Sequence, residues 1–426
     1  MRQDQYDQPI STTSEAAQDA YINGITRFLA ADAGIDTTFR RAIEADDSFA
    51  LPHLGLARFY QMRGRGADVA APLARARALV ADATPREQAQ VNALGLLMEG
   101  KGPQAYAAIR AHLAEYPRDV MIAQTCMGVF GMIGFSGRRG REAEQLAFTS
   151  TLVPHLGDDW WFQSQHAFAL LEVGRTAEAE PVIEQSLATN PRSGNGAHIR
   201  AHLYYENGEA EAGLRYIDEW RNGYSKEGLL HCHVSWHVAL WALEQGDLAK
   251  MWSVLDADVA PGGAEAPPIN IMTDTASLLY RAELAGHDVP AERWSAISDY
   301  AKQCFPKPGI AFADAHAALA HAMAGNSAAL QQIVSDAAGP AAETVTRVAE
   351  GFGAVARQDW AAATTHLVGS IMDHERLGGS RAQRDLIEFA LAGALLRQGK
   401  GDEAKRLLAM HRPVSTREGM VAGLNG

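Results

Sequence analysis

Long apolar runs are missing from this chain of 426 residues, although 47% of it is hydrophobic. No uninterrupted stretch approaches the roughly 18 residues that a membrane span requires, so no membrane partner is expected. Cysteine is scarce: Cys126, Cys232 and Cys304 are odd in number, far apart and in no C-x-x-C. That argues against a disulfide framework and against a cysteine zinc site. Basic charge is in deficit, with 38 Lys and Arg against 51 Asp and Glu and a formal net charge of −13. Such a chain is a poor match for a nucleic-acid backbone or an anionic bilayer. The opening MRQDQYDQPISTTSEAA is polar and carries no apolar segment of the secretory kind, so a reduced, cytoplasmic setting is expected. Alternating runs of strand length are absent, which argues against a parallel sheet. So are a Walker P-loop, a G-x-S-x-G elbow, H-E-x-x-H and a kinase signature, which disfavours nucleotide hydrolysis and serine-esterase chemistry. GFGAVA from Gly351 has no strand before it and is not a dinucleotide fingerprint.

What is present is helical punctuation. Thr12 or Thr13 is placed to cap a helix from about Ser14 to Ala30. TPREQAQVNALGLLMEGKG offers Thr84 as N-cap, Pro85 at the first helical position and Glu87 at the third, a capping box, and stops at Gly100. GFSGRRGRE (134–142) interrupts the helical pattern and reads as a solvated basic loop. The stops recur: Gly174 and Gly208 stand 34 positions apart (174 to 208), each followed by a short acidic and alanine-rich segment. A helix–turn–helix unit of about 34 residues is the tetratricopeptide period, and such units stack into a superhelix with a concave inner surface. The expected fold is therefore all-α, a tetratricopeptide-like helical-repeat solenoid. Regular repeats are expected over residues 1–258. After the Pro/Gly insert VAPGGAEAPPIN (259–270), irregular helical repeats are expected over 259–426, continuing the same solenoid. Helices are expected there at 271–285, 291–303, 310–324, 341–357, 361–372, 382–396 and 403–410.

The richest chemistry lies between Gly194 and Gly246. His198 and His202 form one i, i+4 pair and His233 and His237 another, with Trp236 beside the second. That spacing stacks both rings on one helical face. If each pair sits on the groove-lining helix of its repeat, four imidazoles converge on one space. Neutral imidazole suits a divalent transition metal such as zinc, iron or nickel. The same rings would serve as acid and base, hydrogen-bond a polar ligand, or simply cement a helix interface.

Several segments are similar to the tetratricopeptide repeat protein 38 family: YDQPISTTSEAA (6–17), TPREQAQVNA (84–93), AHIRAH (197–202), CHVSWHVAL (232–240), FADAH (312–316) and LGGSRAQRD (377–385). They occur in order over nearly the whole chain, and helix periodicity alone does not explain them. The resemblance implies an all-α tetratricopeptide-like solenoid and no particular activity. Tyr204 and Tyr205 stand where the family pattern leads one to expect a further histidine.

Further candidates lie C-terminal to the quartet. Asp314 and His316, two apart, would let a carboxylate orient an imidazole, or Asp314 would cap its helix. Asp274, with Tyr280 and Arg281 on one helix, is another carboxylate candidate. GGSRAQRD offers free amides for an anion at Ser380, charge from Arg384 and an internal Arg384–Asp385 pair, or else a tight turn. His53 begins another repeat helix. Two functions follow. In the first, His53, His198, His202, Trp236, Ser380, Arg384 and Asp385 line a concave pocket for a small polar molecule or a peptide. In the second, a metal-assisted or histidine-based hydrolase or lyase uses His233, His237, Asp314 and His316 as acid–base groups, with the quartet holding the metal. Homo-oligomerisation is compatible with either.

Overall fold

The helix boundaries follow from local capping chemistry. In the computed structural model, which describes residues 1–411 and 420–424, the chain forms α-helices from Glu15–Leu29 to Gly401–His411. The end of the C-terminal segment expected to reach residue 426 thus lies partly outside the described residues. Strand structure among the described residues is limited to Arg2–Gln3 paired with Pro9–Ile10. Ser14, rather than Thr12 or Thr13, caps the first helix, its hydroxyl accepting from the Ala17 amide at 3.2 Å. Thr12 is drawn away because its hydroxyl donates to Asp46 at 2.5 Å. The Thr84–Glu87 capping box forms in both directions, with Pro85 opening the helix.

The glycine stops work by backbone conformation. Gly100, Gly174, Gly208 and Gly246 all have φ between 72° and 79°, a left-handed geometry that a Cβ disfavours. Each closes the first helix of a pair, and the second folds back against it, as Trp160–Glu172 does with Thr176–Thr189. The repeat is therefore an all-α, tetratricopeptide-like helix–turn–helix array. Between pairs, small residues allow close approach: a Cβ on Gly213 would lie 2.5 Å from the Trp241 indole. Among the described residues the apolar core forms three clusters, one around Phe39, Phe49 and Phe162, a small one around Ile183, and a large one running from Ala197 to Leu424 around Trp236 and Trp241. No helix among the described residues is long and apolar enough to cross a membrane.

Two features depart from expectation. Ser327–Asp336 is a further helix, capped by Asn326, in a stretch that carries too few large apolar residues to declare itself. The basic stretch 134–142 is solvated only in part: Arg138, Arg139 and Gly140 are exposed, but the stretch is docked on the segment from Asp373 to Gly379. Arg139 forms a two-pronged ion pair with Asp373 at 2.7 and 2.9 Å, and the Gly140 amide donates to Glu375. Arg141 is buried and donates to the carbonyls of Glu375 and Gly379. Burial, with Arg384 nearby, lowers its pKa to about 10, which still leaves it charged at neutral pH.

A second clasp joins the N-terminal helix to the middle of the chain. Gly194 donates its amide to the Ala30 carbonyl at 2.8 Å, and Leu229 donates to Ala31 at 3.0 Å. The Tyr224 hydroxyl also donates to Ala31, whose φ of 57° turns its carbonyl outward from the helix end. Asn195 caps Leu29 at 2.7 Å. Contacts up to 238 positions apart in sequence, as between Arg141 and Gly379, thus draw the superhelix in upon itself, and its inner face forms a cavity. Arg141→Gln should cost about 1–3 kcal/mol, because it strands buried carbonyls, and should speed amide exchange selectively in 373–379. Denaturant melts with hydrogen-exchange mass spectrometry check this; unchanged exchange there would show that the stretch is not anchored.

Candidate functional site

The site is built by two helices in successive repeats, Gly194–Asn207 and His231–Glu244. Ser193 starts the first, accepting from the Gly196 amide at 3.0 Å, and that start sets the phase that turns His198 and His202 inward. His233 and His237 face them from the second helix. All four are buried, and one ring nitrogen from each lies within 4.8 Å of those of the other three. Ring centroids are 4.5 Å apart for His198–His202, 4.8 Å for His198–His233 and 5.0 Å for His233–His237. The His198 and His202 Nε2 atoms share a hydrogen bond of 2.9 Å, so one ring donates and the other accepts.

The surroundings tune these rings differently. His233 Nδ1 lies 2.8 Å from the Asp274 carboxylate, which comes from Pro268–Leu284, the first helix of the next repeat. That bond holds Nδ1 as a donor and leaves the Nε2 lone pair for the centre of the cluster. Trp236 stacks on His233 at 5.2 Å with planes 10° apart. Both nitrogens of His237 are buried without a hydrogen-bond partner among the described residues. Burial, and then the neighbouring imidazoles, hold His198 and His237 well below the usual imidazole pKa, so both are neutral at physiological pH. A neutral imidazole has the free lone pair that ligation or base catalysis needs.

His198, His202 and His233 open onto a cavity of about 760 Å³, whereas His237 and Trp236 lie behind that wall. Its lining is chiefly apolar, with Phe28, Met127, Phe130, Phe168, Leu230 and Pro268 among the contributors. Ser380 also reaches it, with Gln383.

Other expected residues fall elsewhere. Asp314 neither meets His316 nor caps its helix; from within Ala311–Met323 it accepts the Gly309 amide, outside the helix, at 3.0 Å, and burial raises its pKa to about 6. His316 instead bonds the Phe312 carbonyl at 2.8 Å, since their shared helix stacks residues four apart, and burial lowers its pKa to about 4. His53 lies in a separate groove with Arg40 and Arg75. The Gly378 and Ser380 amides of the GGS turn are taken, Gly378 donating to the Glu375 carbonyl at 3.1 Å and Ser380 to the Gln383 side chain at 3.0 Å. Ser380 forms a capping box with Gln383, and the Arg381 amide donates to the Glu172 carboxylate at 3.1 Å. Gly379 approaches Phe312 so closely that a Cβ would stand 2.3 Å from the ring. Arg384 pairs with Glu142 rather than its neighbour Asp385, and Asp385 accepts the Tyr205 hydroxyl at 2.7 Å. Tyr205 thus reaches a carboxylate from the place where a further histidine was expected. Sequence reasoning missed the stretch from Gln124 to Phe135 as cavity wall, because it forms turns and no periodic element.

No protein-family model matches the chain. Among solved structures it is similar to a human IFIT1 dimer with m7Gppp-AAAA, at 15% identity over 96% of this chain and 92% of that one, with a TM-score of 0.46. It is also similar to yeast Tom70, at 14% identity over 95% of this chain and 93% of that one, with a TM-score of 0.33. Similarity at this distance concerns helical-repeat architecture and transfers no ligand.

His237→Leu removes two buried, unpartnered nitrogens at similar volume. In metal-free protein it should leave stability unchanged or raise it by up to about 2 kcal/mol. A loss above about 2 kcal/mol in a denaturant melt would show instead that the imidazoles cement the helices.

Proposed function

We propose that this chain holds a divalent transition metal on His198, His202, His233 and His237, at the wall of a cavity that takes a small molecule. The carrying observation is the convergence of four ring nitrogens within 4.8 Å, all buried. Nitrogens bound to one ion at about 2.0–2.1 Å stand up to about 4 Å apart, so small side-chain shifts would bring these into ligating positions. His237, with no hydrogen-bond partner, would gain one bond that repays its burial. Asp274 on His233 supplies the carboxylate–histidine pairing common behind metal ligands. A metal bound there would act as a Lewis acid toward a substrate oxygen or water, which fits a hydrolase or lyase.

The chain's own residues supply the rest. Asp274 sets the tautomer of His233, while Trp236 holds its ring plane. The chiefly apolar walls strengthen electrostatic interactions beside the rings. A cavity of about 760 Å³ with a chiefly apolar lining is of the size that holds a small molecule. The chain's place in the tetratricopeptide repeat protein 38 family forms part of this proposal, on the segments quoted above. One observation favours a metal-free reading, in which the rings bind a polar group directly: the His198–His202 hydrogen bond, which ligation would break.

Protein purified without a histidine tag should carry about one equivalent of zinc, nickel, copper or iron by elemental mass spectrometry. His233→Ala should lose it, and Asp274→Asn should weaken affinity by about 10–100-fold while remaining folded. Absence of stoichiometric metal, even after incubation with each ion, would leave the metal-free reading standing.

A further inference from the structure

The cavity wall carries a charge that the histidines do not account for. Arg58, on the helix Ala50–Met62, lines the same space as His198, His202 and His233, and no other Asp, Glu, Lys or Arg among the described residues does. It has no ion-pair partner among the described residues. Its two terminal nitrogens donate to neutral amide oxygens, one to Gln61 at 2.6 Å and the other to Gln124 at 3.1 Å. Its Nε is buried without a partner. A guanidinium carries five N–H groups, so three protons remain after those two bonds.

Among the buried arginines, Arg86 and Arg384 are paired differently, whereas Arg141 donates to the carbonyls of Glu375 and Gly379. Arg86 meets Asp119 at 2.9 Å, and Arg384 meets Glu142. Arg281 has no carboxylate in hydrogen-bonding range, but it donates to the Ala382 carbonyl at 2.7 Å, packs against Trp236 and Phe389 and lies away from the cavity. Burial without a counter-charge lowers the Arg58 pKa to about 10, so it stays protonated at neutral pH. Keeping a cation in an apolar wall is costly unless an anion compensates. Gln61 and Gln124 hold the guanidinium in place without neutralising it, so its charge is available to something in the cavity.

We infer that Arg58 is the anchor for the carboxylate head of an amphipathic organic acid whose apolar body fills the cavity. The planar fork of a guanidinium matches a carboxylate through two parallel hydrogen bonds. The predominantly apolar lining suits an aliphatic or aromatic body, and a volume of about 760 Å³ fits a small molecule. The inference rests on the small-molecule part of the function proposed above and not on its metal. It narrows the ligand from a polar molecule to one that is mostly apolar with a single anionic end.

The test is isothermal titration of the full chain with octanoate, decanoate and phenylbutyrate, each beside its neutral primary amide, on wild type, Arg58→Met and Arg58→Lys. At least one acid should bind wild type at least about 10-fold more tightly than its amide, as expected for hydrogen bonds to a charged group. Arg58→Met should erase that preference, and Arg58→Lys should restore it in part, since it keeps the charge and loses the fork. The melting temperature separates this role from a structural one. Without ligand, Arg58→Met should melt no lower than wild type, because it removes an uncompensated buried charge. Equal binding of acid and amide, no binding of any acid, or an unchanged preference in Arg58→Met would overturn the inference, as would a lower melting temperature for that variant. Metal content measured on the same samples keeps the two proposals apart: Arg58→Met should retain whatever metal wild type holds.

Discussion

Each helix here buries its apolar stripe only against the helices stacked on it, and the rest of the structure depends on that constraint. Helices of 10 to 17 residues are marginal alone in water, so the repeats stand or fall together. Stacking also fixes the phase of each helix. A first helix that turns Ala197, Ala201 and Tyr205 into the core must turn His198 and His202 toward the inner face. The quartet thus follows from core packing in two adjacent repeats, and Asp274 reaches it because a third repeat stacks in the same register.

Two clasps convert a groove into a cavity. One joins residues 29–31 to Gly194, Asn195 and Leu229, and the other joins Arg139 and Arg141 to the segment from Asp373 to Gly379. Both use backbone carbonyls or carboxylates at helix ends, where such groups would otherwise lack partners. Their effect on chemistry is indirect but large. Enclosure lowers the local dielectric, keeps imidazoles neutral and makes any charge on the wall matter more.

The buried charges divide along this line. Around the frame they are matched: Arg86 between Asp119 and Asp4, and Arg384 among Glu142 and Glu172. The Glu172 carboxyl is nevertheless pushed up to about 7 by burial, which shows how dry that junction is. At the cavity wall, Arg58 has no ion-pair partner among the described residues and donates to the neutral Gln61 and Gln124 side chains.

Helix existence, the pair repeat, the Thr84 capping box and the convergence of two histidine pairs were legible in the residues, because each depends on spacing within one or two helices. The helix Ser327–Asp336 was not, since its short, alanine-rich run lacks a clear apolar stripe. Nor was the fate of Asp314, Arg384 and Asp385, whose partners Gly309, Glu142 and Tyr205 include two more than 150 positions away. Sequence by itself determined the secondary structure and the face each histidine occupies, because helical periodicity and capping are local. Only the tertiary structure decided that Asp274 serves His233, that the Ser380 amide is taken by Gln383 and that Arg58 shares a cavity with His198, His202 and His233. Those outcomes depend on which distant segments pack together, and no local spacing encodes that.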